Sequence, residues 1–282
     1  MDRRLTPANQ HVAATALQGS VSSAAFVDGT PQHIIWPVVD LLNTPEGHRD
    51  RQLLFGDTVL VFETRDGWAF VQADKDGYVG YVPQSALEDV TGATHWVSGI
   101  ASHMYAAADI KSRDVMRLSF GSKLTVIGFE NGFAKSNAGY VPATHVSPIE
   151  DRETDPATVA EKFLGTPYLW GGNSRMGIDC SGLIQAAFLA CNMPCPADSD
   201  MQQDSLGTDL TDAEPLQRND LLFWKGHVAL VIDAHQLIHA NASHMAVAYE
   251  NTNLTIARIE QQGEGPVTRR ARISLGDDTH EQ

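Results

Sequence analysis

Cysteine, positive charge and long hydrophobic stretches are all scarce in this 282-residue chain. Three cysteines, Cys180, Cys191 and Cys195, are too few for a disulfide scaffold, and an odd number leaves at least one thiol outside any pair. Cys191 and Cys195 have neither redox nor zinc spacing and read as ordinary buried or half-buried thiols. Lysine and arginine number 20 against 35 aspartates and glutamates, a formal charge of −15. Such a chain has no general attraction for polyphosphate, which excludes a nucleic-acid binder, and an anionic surface repels it. No apolar run approaches the roughly 18 residues of a membrane helix, so no membrane insertion is expected. The first 26 residues start basic and run into alanines, but His11, Gln18, Ser20 and Ser22 interrupt the apolar stretch of about 7–15 residues that a signal peptide needs. The expectation is a cytoplasmic protein.

What is present is ample apolar material, 43% of the residues, and a length that suits two domains, or three if some are small. A repeat organises the N-terminal half. Phe55-Gly56 opens the alternating run 58–62, followed by Asp66-Gly67-Trp68 and Gly80-Tyr81-Val82-Pro83. Phe120-Gly121 opens 123–127, followed by Asn131-Gly132-Phe133 and Gly139-Tyr140-Val141-Pro142. Asp-Gly and Asn-Gly between β-prone runs are strong hairpin signals. The recurrence predicts two small β-barrels, over 31–90 and 91–150, after an N-terminal arm over 1–30.

From residue 151 the texture changes. The charged stretch 151–155 reads as a linker. A helix is expected over 156–164, with Pro156 near its start and Val159, Phe163 and Leu164 on one face. A glycine-rich aromatic loop over 165–173 precedes a second helix over about 181–192. Strands are expected over 221–224, 227–233, 236–240 and 245–249. Helices first and antiparallel strands second make 151–282 an α+β domain. The polar tail after Gly263 carries no pattern that places it.

The chemistry gathers at Cys180. It follows Gly165-Thr-Pro-Tyr-Leu-Trp-Gly-Gly172 and Asp179, precedes Ser181-Gly182, and falls in the first turn of the second helix. The partial positive charge and the N–H donors of a helix N-terminus favour thiolate over thiol, and the thiolate is the nucleophile. Leu183, Ile184, Ala187 and Phe188 would bury the helix and hold the sulfur still. Asp179 and Ser181 beside it are candidates for substrate contacts. A thiolate needs a base, itself held by a third polar group. His227 opens the apolar strand 228–232 and His239 closes the next. Pairing about a turn centred on Ala234 sets His227 opposite residue 241, with His239 on the adjacent diagonal, within hydrogen-bond reach.

Trp-Gly-Gly, then Asp179-Cys180-Ser181-Gly182, then Asn219-Asp220-Leu221-Leu222-Phe223-Trp224 with His227-Val228, then Ile238-His239-Ala240 resembles the NlpC/P60 family of cysteine peptidases, over about 110 residues of the C-terminal half. Asn219 stands where the family motif usually has Gly. The resemblance implies a papain-like fold with Cys180 as nucleophile, His227 as general base and His239 orienting it, and no metal or organic cofactor. It implies cleavage of the γ-D-glutamyl–diamino acid bond in murein peptides. The two β repeats look like bacterial SH3-like domains, and that layout is similar to γ-D-glutamyl-L-diamino acid endopeptidases of dipeptidyl-peptidase VI type. In that subfamily a free N-terminal L-alanine is read by an acid and a tyrosine matching Asp50 and Tyr78. Asp198 and Ser199 match its Asp-Ser pair, Tyr168 the tyrosine over the nucleophile, and Trp170 the aromatic wall of the cleft. A carboxylate meeting a neutral capped amide is left buried and unpaired, a cost that favours the free amine. Two other readings stand beside this one: a secreted peptidoglycan hydrolase acting on intact wall, and a non-catalytic wall-peptide binding module.

Overall fold

The computed structural model describes residues 1–275 and divides the chain into two units. The first comprises 1–151 together with Asn173–Arg175, and the second comprises 152–172 and 176 onward. Residues 276–282, the end of the expected C-terminal domain, lie outside the described residues.

The first unit is built from β-strands, and the two sequence repeats fold alike. Thr58–Arg65 turns back on Trp68–Ala73, and Val126–Glu130 turns back on Phe133–Ser136. Both turns have two successive positive φ values, at Asp66-Gly67 and Asn131-Gly132, which is the backbone twist that joins two strands in two residues. Each Gly-Tyr-Val-Pro segment then forms the next strand, Val79–Pro83 or Tyr140–Pro142, followed by a 3-10 turn and a short strand. The first repeat belongs to a seven-stranded sheet; the second is split between a five-stranded and a three-stranded sheet. Phe55 packs with Val97, Met104, Leu118, Leu124 and Val141 in one core cluster. The expected arm is folded: Val12–Ala14 pairs with Ala25–Val27, and Val12, Ala14 and Val27 pack on Phe62, Phe70 and Val79.

The second unit is α+β. Helix α1, Pro156–Lys162, is capped by the Asp155 carboxylate and starts on proline. Helix α2, Cys180–Ala190, carries the cysteine. Strands β1, Leu221–Trp224, β2, His227–Val231, β3, Gln236–Asn241, and β4, Ala246–Asn251, form successive antiparallel hairpins. Strand β5, Arg269–Arg272, pairs with β1 on the far side and with Thr208–Asp209 at the edge. Leu183, Ile184, Ala187 and Phe188 of α2 are all fully or almost fully buried, as their spacing requires. Leu164 departs from expectation. Helix α1 ends at Lys162, Phe163 occupies the C-cap, and Leu164 turns outward while Val159 and Phe163 stay buried.

Two further helices have no counterpart in the sequence reading: α3, Ser199–Ser205, and α4, Thr252–Gln261. The tail also gains a place. Arg269, Arg270 and Arg272 of β5 each meet an acid, Asp209, Asp212 and Asp220 respectively, while Ala271 between them is fully buried. A strand with arginine at three of its four positions, on both faces, hides its period from hydropathy.

Candidate active site

The cysteine is positioned by its neighbour. Asp179 is the N-cap of α2, and its carboxylate accepts from the Gly182 N–H at 2.6 Å and from the Ser181 hydroxyl at 3.1 Å. Its other oxygen accepts from the Gly171 N–H at 2.9 Å. One buried side chain therefore ties the Trp-Gly-Gly loop to the start of the helix. Gly172 must be glycine for a separate reason: a Cβ there would stand 2.5 Å from the Gly177 carbonyl oxygen. Cys180 is the first residue of α2 and is 7% exposed. Its Sγ lies 4.0 Å from the carbonyl oxygen of Gly226, the residue before His227.

The imidazoles follow from strand register. Leu230 faces Ile238 and Val231 faces Leu237, so paired residues sum to 468 and His227 is level with residue 241. His239 then lies on the diagonal, and its Nδ1 is 2.8 Å from His227 Nε2. The next strand repeats the step. His239 faces Ala248, and Glu250, two residues on, reaches His239 Nε2 at 2.7 Å. Arg258 of α4 closes on Glu250, with Nη2 to Oε2 at 2.5 Å and Nε to Oε1 at 3.3 Å. Burial, reinforced by the neighbouring His239, pushes His227 down to about 3. Burial also lowers His239, against the pull of Glu250. Both rings are thus neutral at physiological pH unless an opposing charge forms beside them.

Two known proteins are similar to this chain in sequence. The dipeptidyl-peptidase 6 of Lysinibacillus sphaericus is 38% identical over 237 residues, 74% of this chain and 86% of that protein. The γ-D-glutamyl-L-lysine dipeptidyl-peptidase of Bacillus subtilis is 30% identical over 216 residues, 67% of this chain and 71% of that one. The NlpC/P60 family profile matches residues 165–262, the span holding Cys180, His227, His239 and Glu250. The chain belongs to the NlpC/P60 family. It is a cysteine peptidase. A profile described as the Sh3 domain of bacterial dipeptidyl-peptidases matches 41–87, so the β-strand region preceding the NlpC/P60 domain is SH3-like. The fold agrees with a solved NlpC/P60 family protein from Bacillus cereus, at a TM-score of 0.74 and 20% identity over 88% of this chain and all of that one.

The other site residues expected from sequence occupy varied surroundings. In the NlpC/P60 domain, Tyr168 is half-buried and its N–H donates to the Met245 carbonyl, while Trp170 is 69% exposed. Asp198 is the N-cap residue of α3 and Ser199 its first residue. Gln202 of α3, which sequence did not single out, is fully buried and donates to the carbonyls of Ser181 and Pro196, both at 2.9 Å. It fastens α3 to the nucleophile helix. In the SH3-like region, Asp50 accepts from the Arg3 guanidinium at 2.7 Å. Tyr78 is buried, with its N–H donating to Asp76. Glu250, Arg258 and Gln202 escaped the sequence reading because a lone acid, base or amide within a short element has no periodic signature.

Proposed function

We propose that this peptidase hydrolyses the γ-D-glutamyl–L-diamino acid bond of murein peptides bearing a free N-terminal L-alanine, as a step in recycling released cell-wall peptides. Cys180, His227 and His239 are assigned the catalytic roles. The Cys180 thiol loses its proton to His227, and the sulfur attacks the γ-glutamyl carbonyl carbon. The Cys180 N–H, at the start of α2, is assigned to stabilise the oxyanion. His227 returns the proton to the leaving diamino-acid amine as the C–N bond breaks. Water, deprotonated by His227, then cleaves the thioester and regenerates the thiol.

The observation that carries this reading is the continuous His227–His239–Glu250 hydrogen-bonded chain, beginning at the residue after the one whose carbonyl meets the Cys180 sulfur. The bond is suggested by the name of the Bacillus subtilis relative, a γ-D-glutamyl-L-lysine dipeptidyl-peptidase. Specificity for a free amine is supported by chemistry: a carboxylate held out of water discriminates an ammonium group from a neutral amide. Asp198 and Asp50 are the candidates, and Asp50 already holds a cation, the Arg3 guanidinium. A charge of −15 disfavours residence on an anionic wall, which fits released peptides in the cytoplasm.

The test is incubation with L-Ala-γ-D-Glu-diaminopimelate and with its N-acetylated form. Cleavage of the free-amine peptide alone is expected, and Cys180→Ala abolishes it. Equal cleavage of both peptides would make the protein a lytic wall hydrolase, and cleavage of neither would leave a binding module. Turnover retained by Cys180→Ala would remove the thiol mechanism. Asp198→Asn and Asp50→Asn are each expected to narrow the preference between the two peptides; whichever leaves the ratio unchanged does not read the amine.

A further inference from the structure

The chain of hydrogen bonds that starts at His227 runs on past His239 to Glu250 and Arg258. We propose that Glu250 is a positioning residue that sets the tautomers of both imidazoles, and that Arg258 holds Glu250 in place for that purpose. The inference rests on the catalytic roles assigned above to Cys180, His227 and His239.

The argument is one of proton counting. Burial works against an ionised Glu250, but the hydrogen bonds from His239 and Arg258 outweigh it and hold the carboxyl down at about 2. An ionised carboxylate can only accept. The 2.7 Å contact with His239 Nε2 therefore requires a proton on that nitrogen. A neutral His239 then has a bare Nδ1, which must accept from His227 Nε2–H across 2.8 Å. A neutral His227 is left with a bare Nδ1, the nitrogen free of His239 and able to take the thiol proton. When it does, the imidazolium keeps the same bond to His239, and the Glu250 charge favours the ion pair. In the opposite tautomer His239 would donate from Nδ1, His227 would carry its proton on Nδ1, and the base would be lost. That arrangement also sets the bare Nε2 of His239 against a carboxylate oxygen, two acceptors in contact.

Arg258 makes the choice rigid. Its guanidinium grips both Glu250 oxygens and is itself held by the Ser243 hydroxyl and the Gln262 side-chain oxygen, each at 2.9 Å. The charged and titratable groups acting on the two rings are thus Glu250 on β4, Arg258 on α4, His244 in the β3–β4 turn acting on His239, and His239 acting on His227.

The alternative is that the Glu250–Arg258 pair only pins α4 to the sheet. Glu250→Gln separates the two, because an amide fills the same space yet can accept from or donate to His239 Nε2. In the full chain, Glu250→Gln is expected to lower kcat on the order of tenfold with KM within about twofold, and to slow alkylation of Cys180 by iodoacetamide at neutral pH to a similar degree. Alkylation is read by mass on the Cys180 peptide. Cys191, pushed up to about 12 by burial and by Glu153 and Asp155, does not compete. In a His239→Asn background there is no tautomer to set, and adding Glu250→Gln is expected to change neither quantity by more than about twofold. Equal losses in both backgrounds, or no loss in the parent, overturn the proposal. Should Glu250→Gln not fold, long-range 15N–1H spectra of the parent protein decide: a protonated Nε2 on neutral His239 supports the assignment, and a protonated Nδ1 with a bare Nε2 overturns it. Alkylation and spectra need no substrate, so they remain decisive even if the murein peptide proves to be the wrong one.

Discussion

At the scale of single residues, Asp179 ties the Trp-Gly-Gly loop to the start of the nucleophile helix. Its place beside the cysteine suggests a substrate contact, yet its carboxylate accepts from Gly182, Ser181 and Gly171 and organises the nucleophile's own backbone. Asp179→Ala is therefore expected to lower stability by about 2 kcal/mol, the cost of a lost N-cap and of buried donors left unpaired. It is expected to lower kcat as well, because Cys180 sits one residue into the helix whose start would fray. Asp179→Asn keeps an acceptor and should recover most of the stability. Urea unfolding midpoints and steady-state kinetics on the same variants check this. A rise in KM at unchanged stability would instead make Asp179 a substrate ligand.

The same scale shows what a sequence can reveal of a site. Cys180 declares itself by residue type and by the Asp-Cys-Ser-Gly start of an apolar helix. His227 and His239 could be paired because the short turn around Ala234 leaves one sensible register. Glu250 could not, because β3 and β4 are joined through 242–245, an irregular turn with Met245 at positive φ. Without that register, no rule sets which β4 residue faces His239.

At the scale of elements, hydrophobic period located α2 and strands β1 to β4 to within a residue or two at most ends. It failed for β5, whose arginines answer acids, and for α4, where Thr252 and Thr255 are buried beside Ile259 while Leu254 is exposed. Asn219 is the element-scale feature that can be tested. It has φ +73, which accounts for Asn standing where the family motif has Gly. Its side chain accepts from the Ala157 N–H in the first turn of α1 and donates to the Asp155 cap, both at 2.8 Å. Asn219→Gly keeps the backbone geometry and loses two hydrogen bonds, an expected cost of about 1–3 kcal/mol. Asn219→Ala adds the left-handed penalty of roughly 1–2 kcal/mol. The order Asn, Gly, Ala in urea midpoint is the expected result, and Ala matching Gly would show that φ is not what selects the residue.

At the scale of the whole molecule, several buried groups titrate with one sign. His227 and His239 are depressed from 6.5, His227 to about 3. Glu250 is lowered from 4.5 to about 2. Asp57 is lowered from 3.8 to about 2, where Lys75 and Lys123 overcome the burial that opposes ionisation. In every case the unfolded chain binds more protons than the folded one over the intervening window, so stability must fall as pH falls. The histidines act first: their contribution is complete above pH 6.5 and drains away below it, for His227 down toward pH 3. The acids follow, from about pH 4.5 for Glu250 and pH 3.8 for Asp57 down toward pH 2. The net charge of −15 pulls the other way, because acidification relieves self-repulsion. That term is long-range and largely screened at physiological salt, where the Debye length is about 8 Å, whereas the buried histidines are not screened. At constant ionic strength the unfolding temperature is therefore expected to decline steadily from pH 6.5 to 4.5 and more steeply below. The decline over the upper interval should be shallower in His239→Asn, which removes one of its two sources. A flat or rising curve between pH 6.5 and 4.5 would mean that the two imidazoles are not held neutral in the folded protein, and the proton count from Glu250 to His227 would lose its starting state.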